Sequence, residues 1–237
     1  MAEGRVAVLV TRPEPGASQF AETLRQGTDF QVFAAPLLTI VPARNTPVPA
    51  DDADALLITS PQALGYAEHL RHLPVYAVGV ASAAAARAAG FEVRAEGPGS
   101  ADERLASRVP AGTRLLHPSG VHTARDLAPV FAAHGVDYRR IPVYEARAAG
   151  AMPPEIDEFL CFAGEKVATF LSARTAEIFG RHVRERGLPG HTSDITALCA
   201  SDRIARAAQR AFPFREAVVT GTTEPACFVD LVTSRRT

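Results

Sequence analysis

Short apolar runs alternate with amphipathic stretches along almost the whole chain. The first run, RVAVLVT at residues 5–11, precedes a segment in which Phe20 and Leu24 lie four positions apart, and FQVFAAP follows at residues 30–36. Four-residue spacing places side chains on one face of a helix, whereas a β-branched run is typical of a strand. The chain is therefore predicted to open as strand–helix–strand.

The same alternation continues towards the C-terminus. Further strands are predicted at residues 54–60, 74–80, 91–96, 113–120, 136–146, 166–172, 195–201 and 216–222. Helices are predicted at residues 61–72, 81–89, 122–135, 155–164, 173–187, 202–212 and 224–236. Strands that alternate with helices indicate parallel sheets, so we predict the α/β class.

One sequence pattern occurs twice. ASAAAARAA at residues 81–89 and ASDRIARAA at residues 200–208 share A-S-x-x-x-A-R-A-A, and each follows an apolar run. Ser60 and Ser172 likewise stand between a predicted strand and a predicted helix. Two successive strand–Ser–helix units thus recur in the same order, which indicates two similar domains and favours an old duplication.

Two extended segments that contain proline mark the crossing between these domains: PLLTIVP at residues 36–42 and RRIPVYEA at residues 139–146. Their pairing predicts an outer domain of residues 1–37 together with 147–237, an inserted domain of residues 43–140, and linker strands at residues 38–42 and 141–146. We thus predict two Rossmann- or flavodoxin-like parallel-sheet domains joined by a two-stranded antiparallel linker. Two chain connections permit hinge motion and leave a cleft between the domains.

Charge and composition narrow the class of protein. The 237 residues carry a formal net charge of −1, so no global field attracts nucleic acid or an anionic membrane. No apolar stretch approaches the ~20 residues of a membrane span, and the first residues lack a signal-peptide pattern. Cys161, Cys199 and Cys227 have no CxxC spacing. We therefore expect a cytoplasmic monomer with reduced thiols.

Hydroxyl-bearing residues and glycines follow nearly every predicted strand. Ligands of parallel sheets bind beyond the carboxyl ends of the strands, and free N–H groups at helix N-termini attract anions. The candidate binding residues are Thr11, Arg12, Pro13, Thr59, Ser60, Gly79, Ser82, Ser119, Gly120, Ser172, Arg174, Ser201, Thr220 and Thr222. Ser and Thr are also the preferred N-caps, so each one by itself is interpreted as a cap. The whole set, with its arginines, predicts a ligand that carries many carboxylates or phosphates.

Standard catalytic motifs are missing from the sequence. It contains no GxGxxG, GxxxxGK[ST] or GxSxG, and His117 and His122 have no third ligand nearby in sequence, so neither a nucleotide cofactor nor a metal is expected. Lys166, at the start of a predicted strand, is expected at the surface rather than as a Schiff-base residue. Tyr144 lies in the second linker strand, where its phenol either donates a proton to a departing hydroxyl or simply packs the hinge.

Several segments, taken in order, resemble the uroporphyrinogen-III synthase family: VLVTRPEPGASQFAETLRQ, PLLTI, LLITSPQAL, YAVGVASAAAARAAGFEV, PVYEA, TFLSARTAEIF and VVTGTTEP. The resemblance implies two α/β domains, one inserted in the other, joined by a two-stranded ladder. It also implies a lyase of porphyrin and haem biosynthesis that needs no cofactor or metal. The implied substrate is hydroxymethylbilane, a linear tetrapyrrole with eight carboxylates, which is closed to uroporphyrinogen III with loss of water and inversion of ring D.

The resemblance also implies residue roles. Tyr144 matches the family's tyrosine on the second linker strand, which assists the loss of water. Ligand-facing turns of the family match Thr11, Arg12, Pro13, Ser60, Ser82, Ser172 and Ser201, although Ser82 and Ser201 stand where threonine is common. The alternative function is a non-catalytic, hinged sensor of a small anion, which requires a snug pocket instead of a broad cleft.

Overall fold

The computed structural model describes residues 5–26, 28–43, 48, 52–98, 103–123, 125–187 and 194–234. Its strands are β1 (Val6–Val10), β2 (Gln31–Ala34), β3 (Leu38–Pro42), β4 (Ala55–Ile58), β5 (Val75–Ala77), β6 (Val93–Glu96), β7 (Arg114–Gly120), β8 (Asp137–Ala148), β9 (Glu165–Phe170), β10 (Ile195–Cys199) and β11 (Glu216–Val219). Its α-helices are α1 (Gly16–Arg25), α2 (Val80–Ala88), α3 (Glu103–Ala106), α4 (Ala128–Ala132), α5 (Glu155–Leu160), α6 (Ala173–Glu185), α7 (Asp202–Ala211) and α8 (Pro225–Ser234).

The chain forms two compact units. Unit 1 comprises Met1–Thr39 and Arg147–Thr237, and unit 2 comprises Ile40–Ala146. Strands β3 and β8 are hydrogen-bonded neighbours, and both run through the points where the chain passes from one unit to the other. The predicted α/β class with parallel sheets is confirmed. Among the described residues, no helix is long and apolar enough to cross a bilayer.

The sheet of unit 1 has the order β11-β10-β9-β1-β2, and each adjacent pair is parallel. Strand β1 reads VAVLV and is buried throughout, as expected for an inner strand of a sheet with helices on both faces. On one face Phe20 of α1 meets Phe228 of α8 edge to face at 5.2 Å. Residues of the opposite parity pack against α6, where Phe170 lies 5.7 Å from Phe179.

The sheet of unit 2 has the order β3-β8-β7-β4-β5-β6. Its parallel pairs are β8 with β7, β7 with β4, β4 with β5, and β5 with β6. Alternate residues of each strand face two separate apolar clusters. One cluster contains Leu56, Ile58, Val75, Ala83 and Val143, and the other contains Leu57, Tyr76, Leu115, Phe131 and Val136. This alternation is the period-two pattern of a strand covered on both sides.

Two predicted helices differ from the observed ones. Residues 61–72 form two 3₁₀ helices, Pro61–Tyr66 and Glu68–Leu70, in which Ala63 and Ala67 bond three residues back. Gly65, in the middle of this segment, destabilises a continuous α-helix. The chain forms two short 3₁₀ helices instead. The helix predicted over residues 122–135 contracts to α4. It begins behind a turn in which Asp126 Oδ1 accepts from Ala128 N–H at 3.0 Å, and it has Pro129 in its first turn.

Candidate functional site

The carboxyl ends of the parallel strands in each sheet share one edge. In unit 1 the strand order reverses between β1 and β9, and in unit 2 it reverses between β4 and β7. Such a reversal sends the flanking connections to opposite faces and opens a crevice in which ligands bind. At the carboxyl-end edge of unit 1 lie Thr11, Arg12, Pro13, Ser172, Arg174, Ser201, Thr220 and Thr222. At that of unit 2 lie Thr59, Ser60, Gly79, Ser82, Ser119, Gly120 and Tyr144.

Tyr144 lies opposite Gly120, at the carboxyl end of β7. Its hydroxyl lies beside Gly120, 3.3 Å from the position of a Cβ atom there. Its ring stacks on that of Tyr66, with centroids 6.3 Å apart and planes inclined by 16°. Burial raises the pKa of the Tyr144 phenol, and the neighbouring polar groups of Ser60 and Gly120 only partly oppose this shift. The phenol is therefore protonated at neutral pH and held next to the β4/β7 crevice.

A β-bulge aims Tyr144 at this position. The pairing of β7 with β8 joins Ser119 to Pro142 and then Gly120 to Tyr144, so that Val143 is an extra residue. In a regular strand, Val143 and Tyr144 would point to opposite faces. Here both pack against the cluster that includes Leu64. The bulge thus turns Tyr144 towards Ser60, which follows β4.

A buried polar network lies behind the same edge. His117 Nε2 is 2.9 Å from the Thr59 hydroxyl, and Nδ1 is 2.6 Å from the Tyr138 hydroxyl. Burial, aided by the positive charge of Arg140, lowers the pKa of His117 to about 3. Burial also raises the pKa of Tyr138 to about 12. The imidazole is therefore neutral, and the side chain of Thr59 is engaged in the interior of the unit.

At the crevice of unit 1 the Thr11 hydroxyl is buried, whereas the guanidinium of Arg12 is half-buried. Thr11 is fully buried, and its hydroxyl donates to the carbonyl of Thr169 at 2.8 Å, which ties β1 to β9. The half-buried guanidinium of Arg12 lies 5.8 Å from the ring centroid of Phe20. A Cβ atom at Gly16 would come within 2.7 Å of Arg12 Nε, so glycine makes room for this side chain.

Arg12 keeps its charge without an ion pair. Burial lowers the pKa of the guanidinium, and the nearby carboxylate of Glu224 opposes this shift. Arginine remains protonated at neutral pH because its ordinary pKa is so high. Among the residues that the structure describes, no carboxylate lies within ion-pair distance of Arg12. The cation at the β1/β9 crevice is therefore suited to the carboxylate of a ligand.

Helices α2 and α6 present N-termini that suit anions. Neither has an acidic residue in its first turn; α2 is capped by Gly79, which has no side chain, and α6 by Ser172, whose Oγ accepts from Thr175 N–H at 3.1 Å. Free N–H groups at such ends carry partial positive charge. By contrast, the Glu14 carboxylate already bonds Ser18 N–H in α1, and Asp202 lies in the first turn of α7.

The serines of the repeated pattern occupy different helix positions. Ser201 is the N-cap of α7 and makes no capping hydrogen bond through its side chain. Ser82 is the third residue of α2 and only 6% exposed, because that helix begins at Val80, directly behind its cap Gly79. The repeated letters are therefore not structurally equivalent in the two units.

The remaining candidates stabilise turns. The Thr220 hydroxyl donates to the carbonyl of Thr222 at 2.7 Å, and Thr222 Oγ1 accepts from Glu224 N–H at 3.1 Å. The carbonyl of Pro13 accepts from Ala17 N–H at 3.2 Å. These bonds fix the loops after β11 and β1 and leave the main chain of both loops at the carboxyl-end edge.

The expectation that Lys166 lies at the surface is wrong. The residue is 5% exposed, and its ammonium lies 2.8 Å from Asp194 Oδ2 and 3.1 Å from the carbonyl of Phe162. Strand β9 is an inner strand, so even its first residues are covered, and Asp194 neutralises the charge. Lys166 stands at the amino end of β9, on the sheet edge opposite the candidate site. Glu165, Asp194 and Arg215 line a 570 Å³ cleft at that edge.

Comparison with known proteins identifies the family. A sequence model of the uroporphyrinogen-III synthase HemD family matches residues 18–226. The fold is similar to that of uroporphyrinogen-III synthetase from Helicobacter pylori, with a TM-score of 0.68 and 16% identity over 98% of this chain and 99% of that chain. It is also similar to a mutant uroporphyrinogen III synthase from Thermus thermophilus, with a TM-score of 0.51 and 16% identity over 98% of each chain. No curated protein matches significantly.

The sequence match covers most of the chain, and it includes the β4/β7 crevice, Tyr144 and the N-termini of α2 and α6. Because that match extends over residues 18–226, the chain belongs to the uroporphyrinogen-III synthase family.

Proposed function

We propose that this protein closes hydroxymethylbilane to uroporphyrinogen III, with loss of water and inversion of ring D, and that the reacting end of the bilane binds at the carboxyl-end edge of the unit 2 sheet. As a family member it is a lyase of porphyrin and haem biosynthesis. One observation carries the assignment of the site: the bulge in β8 places the Tyr144 hydroxyl beside Gly120, next to the β4/β7 crevice.

Tyr144 acts as the general acid. Its phenol donates a proton to the terminal hydroxyl of the bilane, the C–O bond breaks, and water leaves while the electron-rich pyrrole becomes an azafulvene cation. The substituted carbon of ring D attacks this cation, and rearrangement of the spirocycle inverts that ring. A proton released in the last step restores the phenol, so the net change is the loss of one water. The raised pKa of Tyr144 keeps the phenol protonated before the reaction. It does not make the phenol a stronger acid, so its contribution rests on its position next to the leaving hydroxyl.

The remaining candidates hold carboxylates. We infer that the guanidinium of Arg12 and the N-termini of α2 and α6 bind carboxylates, because these groups carry full or partial positive charge. We infer further contacts, through hydroxyl or main-chain N–H groups, from Ser60, Gly79, Ser82, Ser119, Gly120, Ser172, Arg174, Ser201, Thr220 and Thr222. Pro13 has no N–H to donate, so we infer only an apolar contact from its ring. The hydroxyls of Thr11 and Thr59 are engaged internally, so these two contribute through their main chain. Such contacts fix one folded shape of the bilane, which is the main catalytic requirement.

The same fold supports a division into domains. We infer an outer domain of residues 1–37 with 147–237, an inserted domain of residues 43–140, and antiparallel linker strands at 38–42 and 141–146. Support comes from the bonds of Ala43 N–H to the Val143 carbonyl at 2.9 Å and of Ala149 N–H to the Leu37 carbonyl at 3.0 Å. Residue numbers rise along one strand as they fall along the other, as in an antiparallel ladder. The strand orders support a flavodoxin-like unit 1 and a Rossmann-like unit 2.

We infer that the protein works as a cytoplasmic monomer without metal, cofactor or nucleic acid. The reaction requires only a proton donor and a fixed substrate conformation, because the bilane cyclises spontaneously. Exhaustive dialysis against a chelator is expected to leave the rate unchanged, measured as product per minute per enzyme. A rate restored only by an added divalent cation contradicts this expectation.

The product isomer tests the function directly. Purified protein is incubated with freshly prepared hydroxymethylbilane, and the oxidised products are separated by chromatography. Type III is expected in excess over the type I isomer that forms spontaneously. A mixture that contains type I alone, at the rate seen without protein, excludes the synthase and leaves the anion-sensor alternative.

Gly120→Ala is expected to slow the synthase by about 10-fold, because small displacements of a reacting group are costly. A Cβ atom at this position would lie 3.0 Å from Tyr144 Cε2 and 3.3 Å from its hydroxyl oxygen. The ring must therefore move, and the hydroxyl moves with it. Gly65→Ala is the control, since nothing lies within 4 Å of its new Cβ atom. Equal rates for the two variants, measured under saturating substrate, contradict the prediction.

A further inference from the structure

We propose that Arg140 is a positioning residue: it holds residues 119–121, the segment against which Tyr144 packs. This inference rests on the proposed role of Tyr144 as general acid. Arg140 lies in β8 opposite His117, four residues before Tyr144. No sequence motif distinguishes it from the exposed Arg139 beside it. Its importance comes from three hydrogen bonds that its guanidinium makes across the carboxyl end of β7.

One guanidinium spans three consecutive residues. Arg140 Nε donates to Ser119 Oγ at 2.9 Å, and Nη2 donates to the carbonyls of Gly120 at 2.6 Å and Val121 at 2.7 Å. The Ser119 hydroxyl in turn donates to the Gly120 carbonyl at 3.2 Å. This arrangement uses the planar fork of arginine, which the single ammonium of lysine cannot reproduce.

The same three residues border Tyr144. Val121 N–H donates to the Tyr144 carbonyl at 2.8 Å, and Gly120 presents its bare Cα to the ring and its main chain to the hydroxyl. The Val121 bond to the Tyr144 main chain and the close approach of Gly120 to its ring thus both come from the segment that Arg140 holds.

The bulge explains why a side chain is needed here. Between Ser119 and Gly120 the pairing shifts by one residue, and a bulge interrupts the regular ladder of main-chain bonds. The carbonyls of Gly120 and Val121 lie at that interruption, where Arg140 binds them. Without the guanidinium the Val121 carbonyl loses this donor, and the Gly120 carbonyl keeps only the longer bond from Ser119. We therefore expect the segment to relax and Tyr144 to lose its alignment with the β4/β7 crevice.

The test compares Arg140→Gln and Arg140→Lys with Arg139→Gln, an exposed neighbour on the same strand. The chain has four tyrosines. Labelling Cζ, the ring carbon that bears the hydroxyl, with ¹³C therefore gives at most four NMR signals, and Tyr144→Phe identifies the signal of Tyr144. In Arg140→Gln we expect the Tyr144 signal to move and its pKa to fall towards the ordinary value as burial decreases. The rate kcat is expected to fall about 10-fold at nearly constant KM, as for a misplaced reacting group.

Each outcome decides a separate question. Arg139→Gln is expected to change neither the Tyr144 signal nor the rate, and Arg140→Lys is expected to lie between it and Arg140→Gln. If Arg140→Gln does not fold, Arg140→Lys carries the comparison. An unchanged Tyr144 signal in a folded Arg140 variant overturns the inference, as does lower stability with an unchanged kcat. If the wild-type protein makes only type I isomer, the proposed function fails, while the NMR comparison still reports whether Arg140 holds Tyr144.

Discussion

Tyr144→Phe is expected to form uroporphyrinogen III at least about 100-fold more slowly than the wild-type protein, because general acid catalysis typically contributes 10²–10⁴-fold. The substitution removes one oxygen atom and leaves the ring stacked on Tyr66. It deletes the group that we propose as the donor of a proton to the leaving hydroxyl. Ser60 keeps its bond from Gln62 N–H, so the local main chain is expected to hold.

The measurement is the initial rate of type III formation, corrected for spontaneous type I. Tyr66→Phe is the matched control: it removes the same atom from the ring that stacks on Tyr144 and is expected to change the rate by less than about threefold, as for an interaction common to both the ground and transition states. Product affinity, measured by fluorescence quenching, should remain the same in both variants. A Tyr144→Phe enzyme with the wild-type rate would show that the ring only packs, which is the alternative left open by the sequence.

Acid destabilises unit 2 through His117. The folded pKa is about 3, while an unfolded histidine has its pKa near 6.5. Between these values the unfolded chain binds a proton that the folded chain does not, so stability falls as the pH decreases through this window. At pH 4.5 the loss is about 3 kcal/mol relative to pH 7, at ~1.4 kcal/mol per pH unit.

Urea unfolding at pH 7 and pH 4.5 tests this effect. His117→Gln is expected to be less stable at pH 7, because Thr59 and Tyr138 lose well-placed partners. It should also lose about 3 kcal/mol less than the wild type on acidification, since its side chain cannot bind a proton. His134→Gln, at a half-exposed position, is the control and should follow the wild type. Parallel pH dependence in the wild type and His117→Gln contradicts the assignment.

Much of the fold was predictable because it depends on local patterns. The apolar run VAVLV is buried on both faces in β1, and the segment that begins at Ala173 forms α6 behind Ser172, as its spacing indicates. The errors have local causes as well. The helix predicted at residues 61–72 is replaced by 3₁₀ turns around Gly65, and Lys166 is buried because β9 is an inner strand.

The candidate site divides differently. Tyr144 and the hydroxyl-bearing turns were predicted from their place after strands and from the family resemblance. Arg140 was not predicted, because its partners are twenty residues away and meet it only when β7 and β8 pair. The sequence also does not reveal that the Thr11 and Thr59 hydroxyls make hydrogen bonds inside the fold. A threonine that bonds internally cannot be distinguished by sequence from one that binds a ligand.

Sequence alone determined the alternation of strands and helices, and with it the parallel sheets and the edge at which the turns collect, because hydrophobic periodicity acts over a few residues. Only the tertiary structure decided which side chains are free at that edge. The bulge at Val143, the space left by Gly120 and the three bonds of Arg140 each depend on a register between distant segments. Register is set by the packing of whole strands, so no local pattern of letters contains it.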